Sequence, residues 1–216
     1  GARGRAAPGP RVRRDGAPVP YHRGMATERI TPRFLLALQT AQALHAAQRR
    51  KGTDIPYLTH LMNVASLVLQ FGGDEDQAIA GLLHDAAEDQ GGRPTLEKVR
   101  LAFGDRVAAI VDGCTDAWTE PKPPWRARKE AYVASLAKKP AEVLLVSAAD
   151  KLDNARAINA DLRVHGDALW DRFSGGKQSL WYYDALARVY LERGVGPLAT
   201  VLDAAVAEMH ALAGEK

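Results

Sequence analysis

GLLHDAAEDQ, residues 81–90, sets His84, Asp85, Glu88 and Asp89 at the end of an apolar lead-in made by Ile79, Ala80, Leu82 and Leu83. Strong helix formers surround these groups and no Pro or internal Gly follows until Gly91, which predicts a helix of about four turns ending there. Residues four apart share a helix face. His84 is therefore expected over Glu88, and Asp85 over Asp89, as one polar edge on an otherwise buried rod. Two acids near a helix C-terminus oppose the macrodipole, so a merely solvated helix end accounts poorly for the stretch. The alternative is a set of groups that bind a cation or move a proton. Taken alone, a His-Asp pair specifies little.

Working outward, the chain reads as helix almost throughout. Thr31-Pro32 is a capping residue with Pro at the first helical position, and Phe34, Leu38, Ala41 and Leu44 follow at helical spacing. That helix is expected to carry His45 and Gln48 and to end in the basic cluster Arg49-Arg50-Lys51. A second begins near Tyr57, with Leu61, Val64, Val68 and Phe71 on one face, and stops at Gly72-Gly73. The third starts at Asp74 and holds the opening stretch. After the turn Gly91-Gly92-Arg93-Pro94, Thr95 reads as the N-cap of a short helix ending near Phe103-Gly104. Val107, Ile110, Val111 and Cys114 mark the next, and TEPKPP (119–124) is a loop that Pro keeps extended. Tyr132 and Leu136 face inward on a helix running to Lys138-Lys139.

Pro140 opens the segment PAEVLLVSAADKLDNARAI, whose first turns are apolar nearly all round and so belong in the core. Asp150 arrives where this run is still buried, with Asn154 one turn on along the same face. An unpaired buried carboxylate is costly, so Asp150 needs Lys151 as an ion-pair partner, or a metal ion. Beyond Asp161 come Trp170, Phe173 and a Gly175-Gly176 break. Two helices follow, one with Leu180, Trp181, Tyr183, Leu186 and Tyr190, the last from Pro197. With no alternating strand pattern and no internal repeat, the fold class is all-α: a helical bundle of roughly eight to ten helices.

Composition narrows the function. Of 216 residues, 46% are hydrophobic and 25% charged, as in ordinary soluble domains, and no apolar run is long enough to cross a membrane. The single Cys114 excludes an intrachain disulfide, suits a reducing cytoplasm, and lies in an apolar pattern that makes it a packed hydrophobe rather than a nucleophile. The net charge is +3, but residues 1–24 contribute +5 through six Arg against Asp15, so residues 25–216 net −2. This locates the basicity in a Gly-, Pro- and Arg-rich extension expected to be disordered. It also argues against nucleic acid as a partner of the folded part. Residues 25–216 are expected to form one domain, and the sequence leaves homo-oligomerisation open.

Six His are present, and His60, at the start of a helix beside Tyr57 and Leu61, stands apart from those in tails and polar segments. With His84, Asp85 and Asp150 it makes a set of two imidazoles and two carboxylates from three helices. Such a nitrogen and oxygen set without thiolate suits Mn²⁺, Fe²⁺ or Co²⁺ better than structural Zn²⁺. A metal lowers the pKa of its water toward neutrality, and Glu88 and Asp89 are placed to handle that proton.

The order His60, His84-Asp85, Asp150 resembles the HD-domain metal-dependent phosphohydrolases. The stretches HAAQRRKGTDIPYLTH (45–60), GLLHDAAEDQ (81–90), FGDRVAAIVDGCTD (103–116) and SAADKLDNAR (147–156) are similar to the hydrolase domain of RelA/SpoT enzymes, and above all to small stand-alone alarmone hydrolases. The resemblance runs from about Phe34 to Ile158, a motif-bearing core of 34–158 with a helical C-terminal part at 159–216. It implies Mn²⁺ on His60, His84, Asp85 and Asp150, hydrolysis carried by Glu88 and Asp89, and a nucleotide pocket lined by Arg50, Lys51 and Asn154. The implied reaction removes the 3′-pyrophosphate of guanosine tetra- or pentaphosphate. Leu61 stands where the family usually has Pro, and Ala86-Ala87 replaces bulkier residues. Another nucleotide phosphate (an adenosine alarmone, the NADPH 2′-phosphate) and a non-catalytic nucleotide-binding module remain as alternatives.

Overall fold

Helix boundaries follow the residues that cap them. The computed structural model describes residues 30–116, 118 and 123–214. Thr31 Oγ1 accepts the Arg33 amide at 3.2 Å and Pro32 opens α1 (Pro32–Leu44). Helix α2 (Leu58–Gln70) stops before Gly72-Gly73. Helix α3 (Glu75–Leu83) opens on a capping box, in which Asp74 Oδ1 accepts the Gln77 amide at 3.0 Å and Gln77 Oε1 accepts the Asp74 amide at 3.1 Å. There follow α4 (Ala86–Asp89), α5 (Arg93–Phe103), α6 (Asp105–Cys114), α7 (Trp125–Leu136) and α8 (Ala141–His165). Two 3₁₀ segments, Gly166–Arg172 and Gly176–Gln178, lead to α9 (Ser179–Glu192) and α10 (Pro197–Leu212). The chain is all-α: among the described residues the one β-type pairing is an isolated Arg49–Pro56 bridge. No helix there is long and apolar enough to cross a membrane.

Several boundaries differ from expectation. Helix α1 ends at Leu44, so His45, Gln48 and Arg49-Arg50-Lys51 lie in a looped segment and not on the helix. There the Arg50 amide donates to the Ile55 carbonyl at 2.8 Å and the Tyr57 amide to the Gln48 carbonyl at 3.0 Å. Gly52, at φ 73°, turns the chain, and Pro56 disfavours a helical conformation at Ile55, so the helix does not run through. Helix α5 starts at Arg93 after Gly92, and Thr95 lies inside it, its hydroxyl donating back to the Gln90 carbonyl at 2.6 Å. Helix α8 runs past Asp161 to His165 and ends where Gly166 takes φ 54°. Residues 1–24, and 119–122 of the TEPKPP stretch, lie outside the described residues.

Two helices organise the packing. Helix α8 lies against α2, α3, α6, α9 and α10, and α3 against α1, α2, α6 and α8. Buried apolar side chains from α1 through α10 form one hydrophobic cluster. Inside it Ser147 Oγ hydrogen-bonds the Tyr132 and Tyr190 hydroxyls, each at 2.6 Å, tying α8 to α7 and α9. Cys114 packs on the same cluster, and burial pushes its thiol pKa up to about 11. The thiolate is then scarce near neutrality, so alkylation at pH 8 is expected to be at least tenfold slower for the folded protein than in urea, read by mass spectrometry; equal rates would contradict this packing.

The crossing of α2 and α3 is unusually close. A Cβ on Gly81 would sit 3.2 Å from both Cα and N of Ala65, and backbone cannot yield as a side-chain tip can. The crossing lies one turn from His84 and little more from His60. Gly81→Ala gains about 1 kcal/mol of helix propensity but forces the two helices apart at a typical cost of about 1–3 kcal/mol. We expect a net loss of about 1 kcal/mol or more, measured as a lower urea midpoint with unchanged slope.

Candidate active site

Consecutive residues of an α-helix point about 100° apart. Helix α3 ends at Leu83, His84 and Asp85 form a turn whose backbone stays in the right-handed helical region, and the chain resumes as α4. This interrupts the expected four-turn helix. His84 Nδ1–H donates to the Gly81 carbonyl at 2.8 Å, a side chain competing for a helix acceptor. At the turn His84 Nε2 and Asp85 Oδ2 come within 3.0 Å.

Two further elements complete the cluster. His60, on the first turn of α2, places Nε2 3.3 Å from Asp150 Oδ1 and 3.8 Å from Asp85 Oδ2. His84 Nε2 is 3.7 Å from the same Asp150 oxygen. Ligand atoms of His60, His84 and Asp150 all lie within 4.8 Å of one another, and Asp85 flanks both imidazoles. Each group has a further partner. His60 Nδ1–H donates to Asp153 Oδ2 at 2.6 Å, and the Tyr57 hydroxyl donates to Asp85 Oδ2 at 2.5 Å. Lys151 Nζ takes Asp150 Oδ2 at 2.5 Å, and Asn154 Nδ2 takes Oδ1 at 2.5 Å. Both imidazoles use Nδ1 as a donor, so in the neutral rings Nε2 carries a lone pair.

These two Nε2 atoms are buried and make no hydrogen bond, although carboxylate oxygens surround them. Burial opposes charge on His84, yet Asp85 and Asp150 outweigh it and hold the imidazole well above its usual pKa. Burial likewise opposes ionisation of Asp150, but Lys151 and the two imidazoles keep its carboxyl well below the usual range. The cluster draws positive charge to the Nε2 atoms. A divalent metal ion fits that demand, and the donors are those of a mixed imidazole–carboxylate site with its second shell in place.

The remaining expected residues fall around this centre. Glu88 Oε2 accepts the Asp116 backbone amide at 2.9 Å, and Asp89 Oδ2 accepts Gln48 Nε2 at 2.8 Å; neither is among the clustered ligand atoms. Arg50 Nη1 reaches Asp153 Oδ2 at 3.3 Å, and Lys51 Nζ lies 5.9 Å from the centre of the Phe173 ring. Arg50, Lys51 and Asn154 line a cavity of about 470 Å³ with Tyr57, Arg128, Lys129, Lys151, Trp125, Phe173, Tyr182 and Tyr183. Its walls carry five cationic side chains and one acid, Asp161. Arg128 and Lys129 are held by Asp116, Lys129 at 2.7 Å.

A family model described as HD domain matches residues 37–179. The chain belongs to the HD-domain family. Within that family it is 32% identical over 152 residues to the Drosophila melanogaster guanosine-3′,5′-bis(diphosphate) 3′-pyrophosphohydrolase MESH1, covering 69% of this chain and 80% of that protein. It is 38% identical over 126 residues to a Streptomyces coelicolor GTP pyrophosphokinase, of whose length it spans 14%. A solved structure described as a metazoan ortholog of SpoT that hydrolyzes ppGpp superposes with a TM-score of 0.69 at 30% identity, over 85% of this chain and 98% of that one.

Sequence reasoning missed Tyr57, Asp153 and the far cavity wall, Arg128 and Lys129. Two of these had a local signal: Tyr57 precedes His60 by three residues and Asp153 follows Asp150 by three, each on the helical face of a ligand. Asp153→Asn keeps an acceptor for His60 Nδ1–H but removes the charge behind it. Losing the charge of such an outer hydrogen-bond partner costs roughly 10–100-fold in metal affinity. We expect an at least tenfold weaker affinity for a divalent metal ion by calorimetric titration, with an unchanged circular-dichroism spectrum.

Proposed function

We propose that this HD domain, taken as residues 25–216, hydrolyses the 3′-pyrophosphate of guanosine tetra- and pentaphosphate, giving GDP or GTP and pyrophosphate in the cytoplasm. The observation that carries the reading is the adjacency of the cationic cavity to the imidazole–carboxylate cluster, with Lys151, Asn154 and Tyr57 belonging to both. Relatives bearing the guanosine-3′,5′-bis(diphosphate) 3′-pyrophosphohydrolase name, which this chain covers for most of their length, support the substrate.

His60, His84, Asp85 and Asp150 would hold the metal, and their nitrogen and oxygen donors without thiolate favour Mn²⁺. Such an ion supplies a Lewis acid for a phosphoryl oxygen and makes water more acidic. Arg50 and Lys51 on one wall, and Arg128, Lys129 and Lys151 on the other, bind phosphate oxygens at both ends of a nucleotide. Phe173, Tyr182, Tyr183 and Trp125 give the cavity apolar surface against which a base and ribose pack. Asn154, fixed on Asp150, holds its carboxamide at the junction of cavity and cluster. Glu88 and Asp89 take the proton of the attacking water and return it to the leaving 3′-oxygen. The new bond joins the water oxygen to phosphorus, and the bond from that phosphorus to the 3′-oxygen breaks.

The test is a panel of nucleotides with purified protein and Mn²⁺, scoring phosphate and pyrophosphate separately. Pyrophosphate from guanosine tetraphosphate is the expected product. Release of phosphate from NADPH or an adenosine alarmone alone would reassign the substrate, and no turnover of any nucleotide would leave a binding module. Asp150→Ala is expected to lose both Mn²⁺ binding and turnover. Glu88→Gln should keep the metal and lose about 10²–10⁴ in kcat, the usual contribution of a general acid–base group.

A further inference from the structure

The looped segment 45–57, whose first part through Lys51 was expected to be helical, carries a hydrogen-bond chain that ends on Asp89. His45 is buried and stacks on Tyr57, ring centroids 5.5 Å apart. Its Nδ1 lies 2.6 Å from Gln48 Oε1, and Gln90 Nε2 donates to the same oxygen at 2.7 Å. Gln48 Nε2 then donates to Asp89 Oδ2 at 2.8 Å. An ionised carboxylate only accepts, so the Gln48 amide must turn its NH₂ to Asp89. That leaves Oε1 toward His45 and Gln90, the two donors that meet it. The orientation is fixed from both ends.

We infer that Gln48 is a positioning residue that aims the Asp89 carboxylate, with His45 and Gln90 locking its amide. The same segment thereby grips two acids. Tyr57 holds Asp85 of the metal cluster and Gln48 holds Asp89 of the proton-handling pair. Helix α4 is a single turn, so the Gln48 contact adds a tie from a separate segment to the bond that the Asp89 amide donates to the Asp85 carbonyl at 2.9 Å. This inference rests on the proposed role of Asp89 in turnover.

The test uses Gln48→Ala, Gln48→Glu, Asp89→Asn and the double variant Gln48→Ala/Asp89→Asn, with guanosine tetraphosphate and Mn²⁺. Gln48→Glu retains an acceptor toward His45 and Gln90 and replaces only the donor facing Asp89. Loss of one hydrogen bond to a charged group corresponds to about tenfold. Gln48→Ala is therefore expected to lower kcat by about that factor with KM and bound Mn²⁺ unchanged, and Gln48→Glu to lower it further by like-charge repulsion. In the Asp89→Asn background the Gln48→Ala effect should vanish. An equal loss in both backgrounds, or full activity of Gln48→Glu, would overturn the inference. If Asp89→Asn itself keeps full kcat, the role of Asp89 fails instead. Urea midpoints of Gln48→Ala, Asp89→Ala and their double variant then decide the contact apart from the reaction, because Asp89→Asn would keep an acceptor for Gln48: additive shifts would show that Gln48 and Asp89 do not interact.

Discussion

Lone pairs of like polarity, gathered within a few ångströms in a nearly dry interior, repel one another until a positive charge lies among them. His60, His84, Asp85 and Asp150 present this situation, and much of the surrounding structure serves to hold them in it. Each is restrained by a neighbour: His84 by the Gly81 carbonyl, His60 by Asp153, Asp85 by Tyr57, and Asp150 by Lys151 and Asn154. The restraints come from three helices whose mutual distance is set by the tight α2–α3 crossing and by α8 packed against both. The fold is, in this sense, a clamp around a cation-shaped demand.

The field of the molecule has a matching asymmetry. Residues 25–216 are acidic in sum, yet five of the six charged side chains on the cavity wall are positive. Cations brought together from the 49–51 loop, α7 and α8 would repel one another. Part of that cost is offset by Asp153 behind Arg50, Asp116 behind Arg128 and Lys129, and Asp150 behind Lys151. A polyanionic ligand would supply the remainder, as the proposed nucleotide with its several phosphates does.

Much of this was legible in the residues. Thr31-Pro32, Gly72-Gly73 and Asp74 mark helix ends because caps and glycines act locally, and Asp150 stood out because a carboxylate in an apolar run needs a partner. What was not legible depends on distant chain. Asp153 meets His60 across 93 positions, and Arg128 and Lys129 enter the cavity wall only once α7 packs on α9. The break at His84-Asp85 was hidden for a different reason. Helix propensity averages over a window and is blind to one imidazole taking a backbone carbonyl for itself.

The carboxylate of Asp153 is shared between Arg50 on the cavity side and His60 on the cluster side. A phosphate that drew Arg50 toward itself would leave more of that carboxylate's negative charge to His60. Ligands of the cavity and of the cluster would then be coupled through one shared side chain, and any such coupling acts equally in both directions.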